Sequence, residues 1–135
     1  MVIDSSVAVA IFLNEADWRF LHGQILRATT RFISAVSIVE TGIVLESRLG
    51  ATAVRDFERY RKELRIEIVA VDAETAQGAL AAWRKYGKGR HRAALNLGDC
   101  FSYALAKSTA EPLLAKGDDF ARTDLELCPQ VPPTQ

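Results

Sequence analysis

The chain has 135 residues, of which 49% are hydrophobic and 25% charged, a composition typical of one globular domain. Its 17 basic and 17 acidic residues balance, so the net charge does not indicate a polyanion partner, although a local basic patch remains compatible with one. Two cysteines are too few for a disulfide scaffold, and the longest apolar run, residues 7–13, is far shorter than the roughly 20 residues that span a bilayer. We therefore expect a soluble, cytoplasmic protein with no membrane contact.

Short apolar runs alternate with helical patterns along the chain. Strands are predicted at residues 2–3, 31–34, 66–71 and 112–115, and helices at 5–13, 16–27, 35–49, 51–64, 72 or 73 to 86, and 96 or 97 to 108. Cys128 is a candidate for a last edge strand. Residues 1–128 are expected to form a single domain and 129–135 a disordered tail. This alternation predicts an α/β fold with a mainly parallel sheet covered on both faces.

Acidic residues follow the predicted strand ends or lie on the helices that begin there. They are Asp4, Glu40, Asp99, Asp118 and Asp119. Each has a purely structural interpretation as a helix cap or a turn residue. Because the carboxyl ends of parallel strands lie at one edge of a sheet, the recurrence of acids at these ends predicts that they converge.

Converging carboxylates need a compensating partner. Two of them about 5 Å apart repel by roughly 3 kcal/mol at an effective dielectric of about 20, so a cluster must hold protons or a cation. All-oxygen ligands select hard cations, and we expect Mg²⁺, with Mn²⁺ able to substitute. Such an ion with open positions binds phosphate oxygens and lowers the pKa of a bound water, which predicts attack on a phosphodiester.

The second feature is a basic window between Thr75 and Gly98, which contains no acidic residue. Its cations are Arg84, Lys85, Lys88, Arg90 and Arg92. The window is either a surface that follows phosphates or a solvated loop. We favour the first because it leads directly into Asp99. Trp83 and Tyr86, within the window, are assigned to the core rather than to base stacking.

Four segments resemble the signature blocks of PIN-domain ribonucleases, and most closely those of the VapC toxins of type II toxin–antitoxin systems. They are VIDSS at 2–6, ISAVSIVE at 33–40, LNLGDCFSYALA at 95–106 and LLAKGDDF at 113–120, and the match runs from residue 1 to about 127. The resemblance implies a three-layer α/β/α sandwich and Mg²⁺-dependent cleavage of RNA. It also implies inhibition by a cognate VapB-type antitoxin, and a homodimer.

The resemblance also implies roles for individual residues. By position, Asp4 and Asp99 resemble direct metal ligands, and Glu40 resembles the second acid of the set, which holds metal or water. Ser6 resembles the hydroxyl that supports the first aspartate. Many PIN domains carry Thr-x-Asp after the fourth strand, whereas this chain has Ala-Lys-Gly at 115–117. Either of the two following aspartates, at 118 and 119, is therefore left to provide the fourth acid.

The sequence thus predicts a Mg²⁺-dependent endoribonuclease toxin in which a metal-activated water attacks the scissile phosphate and the basic window steers the RNA. Two alternatives remain. One is a metal-dependent phosphatase, although the aspartyl-phosphate type is disfavoured because the second residue after Asp4 is Ser6 rather than an acid. The other is a non-catalytic PIN scaffold that acts as a binding or repressor partner.

Overall fold

The computed structural model describes residues 1–134. Its strands are β1 (Val2–Ile3), β2 (Phe32–Ser34), β3 (Glu67–Val69) and β4 (Leu113–Leu114). Its helices are α1 (Ser5–Phe12), α2 (Trp18–Arg27), α3 (Ala35–Leu49), α4 (Ala51–Glu63), α5 (Ala73–Tyr86) and α6 (Leu97–Thr109), followed by a 3₁₀ helix at Asp119–Arg122. No helix in this range combines the length and the apolarity needed to cross a membrane.

The four strands form one parallel sheet in the order β3-β2-β1-β4. In the centre, Val2 lies opposite both Phe32 and Leu113. Beyond β4, Leu127 forms a single parallel bridge with Leu113, so the predicted edge strand near Cys128 is present only as this bridge. The parallel sheet predicted from the sequence is confirmed.

Each face of the sheet is covered by its own set of helices, because successive strand residues point to opposite faces. Ile3 packs into a core built by the first four helices, whose buried members include Val7, Leu21, Leu45 and Phe57. Val2 packs into a second core, whose buried members include Leu95, Tyr103 and Phe120. The predicted three-layer α/β/α arrangement is therefore confirmed.

Two helices begin directly at strand ends, which brings polar side chains to one edge of the sheet. β1 ends at Ile3, and Asp4 is the N-cap of α1. β2 ends at Ser34, whose hydroxyl accepts a hydrogen bond from the Val36 N–H and caps α3. The Asp4 N–H donates to the Leu114 carbonyl at 2.9 Å, so the ends of β1 and β4 are joined at the same level.

β3 is shorter than predicted, since it spans only residues 67–69 of the expected 66–71. Its one neighbour within the described residues is β2, which has three residues and therefore limits the ladder to three pairs. In the tail, residues 129–134 contain neither helix nor strand. The Gln130 side chain exchanges hydrogen bonds of 2.8 and 2.7 Å with the backbone of Gly117. Disorder of the tail stays a prediction, and Gln135 lies outside the described residues.

Candidate active site

Asp4 is the most deeply buried acid at the sheet edge, with 3% of its surface exposed. Its Oδ2 accepts a hydrogen bond from the Ser6 N–H at 3.1 Å, and its Oδ1 accepts one from the Ser102 hydroxyl at 2.6 Å. Hydrogen bonds to a charged group are stronger than those between neutral groups and offset part of the cost of burial. The Asp4 carboxylate is therefore held in one orientation from α1 and from α6.

Sequence reasoning missed Ser102. It is fully buried on α6, and its hydroxyl lies 3.3 Å from the equally buried hydroxyl of Ser37 on α3. Its spacing from Asp99 could have identified it, because a residue three positions after Asp99 lies on the same face of the helix, one turn further along. A polar residue at that position, among buried neighbours on α6, points to the same edge of the sheet.

Ser6 supports Asp4 in a different way from the one the resemblance implied. Its backbone N–H, not its hydroxyl, contacts the Asp4 carboxylate. The Ser6 hydroxyl accepts a hydrogen bond from the Lys116 N–H at 2.9 Å. The side chain thus fixes the segment that follows β4 and leads to the two aspartates at 118 and 119.

Glu40 lies on α3, and its carboxylate rests against the backbone of Gly98 in the first turn of α6. A Cβ atom at residue 98 would overlap the Glu40 carboxylate, so only glycine leaves that space free. Glu40 Oε1 is buried and has no hydrogen-bond partner among residues 1–134. Burial raises the pKa of the Glu40 carboxyl, the charge of Asp4 raises it further, and the Ser5 hydroxyl opposes the increase.

Asp99 has two functions in the structure. It forms a capping box with Asn96, because its Oδ2 accepts the Asn96 N–H at 3.0 Å and its own N–H donates to Asn96 Oδ1 at 2.8 Å. The pKa of Asp99 is raised to about 6, chiefly by burial; the Asn96 N–H opposes this increase, and the charges of Asp4, Asp119 and Glu40 contribute to it. The cap interpretation is therefore confirmed for this residue, while its membership of a metal-binding cluster stays a prediction.

The two aspartates after β4 are both exposed, but they differ in their relation to Asp99. Asp119 begins the 3₁₀ helix, and it is one of the residues whose charge raises the pKa of Asp99. Asp118 precedes that helix and is not among the residues that raise the pKa of Asp99. The buried Phe120 anchors this segment in the core. Of the two, the charge of Asp119 acts on Asp99, and which aspartate is the fourth acid stays a prediction.

The donor set suits a hard divalent cation, although no ion-enclosing cluster is preformed. Within residues 1–134, no group of three or more His, Cys, Asp or Glu side chains is close enough to hold a metal ion as it stands. The donors at this edge are all oxygens, which Mg²⁺ prefers. The unpartnered Glu40 Oε1 and the charges that raise the pKa of Asp99 are both features that a cation would relieve.

The basic window ends α5 and continues as a loop that returns to α6. The side chains of its five cations are exposed, and within the described residues none of them forms an ion pair; they are Arg84, Lys85, Lys88, Arg90 and Arg92. A parallel bridge between Gly87 and Leu95 closes the loop immediately before the Asn96 cap. The cations therefore lie next to the helix that carries Asp99.

The assignment of Trp83 to the core is wrong, whereas that of Tyr86 is confirmed. Tyr86 is 7% exposed, but Trp83 is 39% exposed and carries the Arg90 guanidinium 4.7 Å from its ring centroid. The buried face of α5 consists of Ala79, Ala82 and Tyr86. Trp83 lies at the edge of that face, where a large side chain remains partly in solvent.

A parallel three-layer fold with acids gathered at the carboxyl ends of its strands is the architecture of a PIN domain. The family model for the PIN domain matches residues 1–126. The chain is 49% identical over 125 residues to Ribonuclease VapC of Mycolicibacterium smegmatis, covering 93% of this chain and 97% of that protein. It is 45% identical over 125 residues to Ribonuclease VapC30 of Mycobacterium tuberculosis, covering 93% and 95%. The chain therefore belongs to the VapC ribonucleases of the PIN-domain family.

Solved structures share this fold at low sequence identity. The crystal structure of Mycobacterium tuberculosis VapC20, described as a sarcin–ricin loop cleaving toxin, matches with a TM-score of 0.76 and 18% identity, covering 92% of this chain and 95% of that one. A toxin–antitoxin complex from Klebsiella pneumoniae matches with a TM-score of 0.66 and 17% identity, covering 91% and 92%. The family, fold and enzyme class predicted from the sequence are thus confirmed.

Proposed function

We propose that this chain is a Mg²⁺-dependent endoribonuclease, with Mn²⁺ able to replace Mg²⁺, and that it is the toxin of a toxin–antitoxin pair. The observation that carries the proposal is the effect of three other acids on Asp99: the charges of Asp4, Asp119 and Glu40 all raise its pKa. Residues far apart in the sequence thus act on one carboxyl at the carboxyl edge of the sheet. The names of the curated relatives support ribonuclease activity.

In this proposal Asp4 and Asp99 are the direct ligands, Glu40 holds the cation or a water, and Asp119 is the fourth acid. A bound divalent cation would neutralise charge at the scissile phosphate and lower the pKa of a coordinated water. Asp4 contributes a carboxylate whose orientation two hydrogen bonds fix. Glu40 contributes Oε1, which is free of hydrogen bonds to residues 1–134. Asp99 keeps Oδ1 available, because its cap contact uses Oδ2.

The basic window is proposed to bind the RNA backbone. Its exposed cations suit contacts to phosphates, which position a nucleic acid without reading its sequence. They are Arg84, Lys85, Lys88, Arg90 and Arg92. Because the loop leads directly into the first turn of α6, an RNA strand held there would reach the acids at the sheet edge.

The proposed partners are a cognate VapB-type antitoxin and a second copy of the chain. The Klebsiella pneumoniae complex, which holds a toxin of the same fold with its antitoxin, supports the first. Exposed apolar side chains beside the acids support the second: Val39 is 60% exposed and Ile43 is 62% exposed, both on α3. Apolar groups exposed in this way are typical of protein interfaces.

The direct test is to express the chain and an Asp99→Asn variant, and to sequence the RNA ends that accumulate. We expect new ends at defined sites with the wild type and few or none with the variant. With purified protein, cleavage should require Mg²⁺ or Mn²⁺ and stop on chelation. Equal cleavage by both proteins would refute the role of Asp99.

The same preparations separate the alternatives. Hydrolysis of a small phosphomonoester without RNA cleavage would favour a phosphatase. Failure to hydrolyse either substrate, with no heat of binding on titration with Mn²⁺, would favour a non-catalytic scaffold.

A further inference from the structure

A groove of about 560 Å³ lies between α5 and α6, and it shares one residue, Lys88, with the basic window proposed to bind the RNA backbone. Most of its lining is apolar, with Leu80, Trp83, Leu97 and Phe101 as its large side chains, and Lys88 among its polar residues. Its volume is within the range of small-molecule binding sites, about 300–1,000 Å³. Leu80, Trp83 and Leu97 are 47%, 39% and 75% exposed, so the groove is open to solvent.

The groove and the acids share the first turn of α6. Asp99 lies where the charges of Asp4 and Glu40 act on it, while its neighbours Leu97 and Cys100 line the groove. The two sites therefore lie on different sides of one helix, whose diameter with side chains is roughly 10 Å. A short stretch of single-stranded RNA can extend over that distance.

Trp83 is held as a partly exposed platform at the groove. The Arg90 guanidinium lies 4.7 Å from its ring centroid. The backbone of Gly87 lies against the indole so closely that a Cβ atom there would overlap it. The loop that carries these contacts is closed by hydrogen bonds of 3.0 Å from Lys88 N–H to the Leu95 carbonyl and from Leu95 N–H to the Tyr86 carbonyl. The indole therefore has a fixed position.

The charges around the groove favour a nucleotide as its occupant. Lys88 lines it, Arg90 stacks on Trp83, and no acidic residue occurs between Thr75 and Gly98. An apolar protein segment would use the lining but not these cations. A nucleotide uses both, because its base stacks on an aromatic ring while cations contact its phosphates.

We propose that this groove binds an unpaired base of the RNA substrate, stacked on Trp83. The proposal rests on the proposed ribonuclease function, and it adds a site that holds the base rather than the phosphate. Since every base has a π face, the site would contribute affinity with little preference for sequence. It would favour single-stranded RNA, in which bases are free to leave the stack.

The test measures the affinity of the full chain for a short single-stranded RNA, and for an abasic ribose–phosphate oligomer of the same length, with the divalent ions chelated so that the RNA stays intact. Stacking of a base on an aromatic ring contributes about 1–3 kcal/mol, so Trp83→Ala should weaken RNA binding roughly 5- to 150-fold. Binding of the abasic oligomer should change far less, because all five cations of the basic window remain. Trp83→Phe, which keeps an aromatic ring, should bind RNA with intermediate affinity. Arg84→Ala is the matched control and should weaken both ligands equally.

A second readout follows the indole itself. The chain has two tryptophans, so a Trp18→Phe variant reports on Trp83 alone. RNA should quench the fluorescence of this variant, whereas the abasic oligomer should not. Circular dichroism and thermal melting would confirm that the Trp83 variants are folded.

The outcomes separate this proposal from the proposed function. If the wild type cleaves RNA with Mg²⁺ while Trp83→Ala binds RNA as tightly as the wild type, the base site is refuted and the ribonuclease proposal stands. If Trp83→Ala binds RNA as tightly as the wild type but self-associates more weakly, the groove is an interface between protein copies and the base site is refuted. If the wild type neither binds nor cleaves RNA, both proposals fail.

Discussion

The Ser102 hydroxyl donates a 2.6 Å hydrogen bond to Asp4 Oδ1, joining residues that are 98 positions apart in the chain. Both residues are buried. The bond ties α6, which carries Asp99, to the end of the central strand β1. The two acids proposed as direct ligands are therefore fixed relative to each other by a serine that has no proposed role in the chemistry.

Ser102→Ala should lower the free energy of unfolding by about 1.5–3 kcal/mol, since it removes a hydrogen bond to a buried charged group. Ser37→Ala is the matched control: it is equally buried and contacts Ser102, but it has no hydrogen bond to Asp4. Ser37→Ala should lower the free energy of unfolding by about 0.5–1.5 kcal/mol, the contribution of an ordinary hydrogen bond. This is about half of the loss expected for Ser102→Ala. Urea denaturation measures both variants, and equal losses would contradict the special position of Ser102.

Gly98→Ala should weaken divalent-cation binding without lowering the stability of the fold. A methyl group at residue 98 would displace the Glu40 carboxylate, which is the mobile end of a flexible side chain, so the chain should still fold. Alanine in a helix is more stable than glycine by up to about 1 kcal/mol, so the melting temperature should not fall. Divalent-cation affinity should fall at least about 10-fold, the loss typical of disturbed metal sites.

Gly78→Ala is the control for that variant. Its new Cβ would meet Ala104 Cβ at 3.5 Å, an ordinary contact, and it lies on α5 away from the acids. It should keep both stability and cation affinity. If Gly98→Ala bound cations as tightly as this control, the position assigned to the Glu40 carboxylate would be wrong.

The two aspartates after β4 can be separated by mutation. Asp119→Asn should weaken cation binding and RNA cleavage, because the charge of Asp119 acts on Asp99. Asp118→Asn removes the same charge one residue earlier and should have little effect. Calorimetric titration with Mn²⁺ and an RNA cleavage assay measure the difference. A larger loss with Asp118→Asn would reverse the assignment of the fourth acid.

The sequence was sufficient to predict the parallel sheet, whereas the binding role of the acids stays a prediction. The alternation of strands and helices indicated parallel strands but not their order; the observed order places the ends of β1 and β4 at one edge, where the Asp4 N–H contacts the Leu114 carbonyl. The helix over 35–49 was predicted with its observed bounds, since its apolar spacing and the glycine at 50 both mark them.

The side-chain contacts within the site depend on how the helices pack against the sheet, which the spacing of apolar residues in the sequence does not specify. Ser102 was missed because the sequence does not identify its hydrogen-bond partner, Asp4, which is 98 positions away and is reached only when α6 packs beside β1. Ser6 was predicted to support Asp4 through its hydroxyl, but that hydroxyl accepts a hydrogen bond from the Lys116 N–H, and the Ser6 backbone N–H contacts Asp4 instead. Trp83 was assigned to the core, whereas in the structure it lies at the margin of the buried face of α5 and is 39% exposed.

The acid stability of the fold should depend in part on Asp124. Its carboxylate accepts hydrogen bonds from Lys107 Nζ at 2.7 Å and from the Tyr103 hydroxyl at 2.5 Å. Lys107, and then Tyr103, lower the pKa of Asp124 to about 2. Because this value is below the ordinary pKa of about 3.9, the contacts stabilise the fold above about pH 4, and the stabilisation is lost as the pH falls toward about 2.

Asp124→Asn should therefore lower the melting temperature near neutral pH, and its difference from the wild type should shrink as the pH falls through that range. The effect should be small, because the Asp124 side chain is 40% exposed and solvent screens the pair. Asp56→Asn is the control, since Asp56 is an exposed carboxylate 3.8 Å from Arg59. If the difference in melting temperature between the wild type and Asp124→Asn grew as the pH fell, the lowered pKa assigned to Asp124 would be wrong.

The central claim is that acids distant in the sequence bind one divalent cation at the carboxyl edge of the sheet. Calorimetric titration of Mn²⁺ into the wild type, Asp4→Asn, Asp99→Asn and Asp118→Asn tests it most directly. We expect the wild type and Asp118→Asn to bind Mn²⁺ with similar affinity, and the other two variants to bind at least about 10-fold more weakly. Equal binding by all four proteins, or no binding by the wild type, would contradict the account.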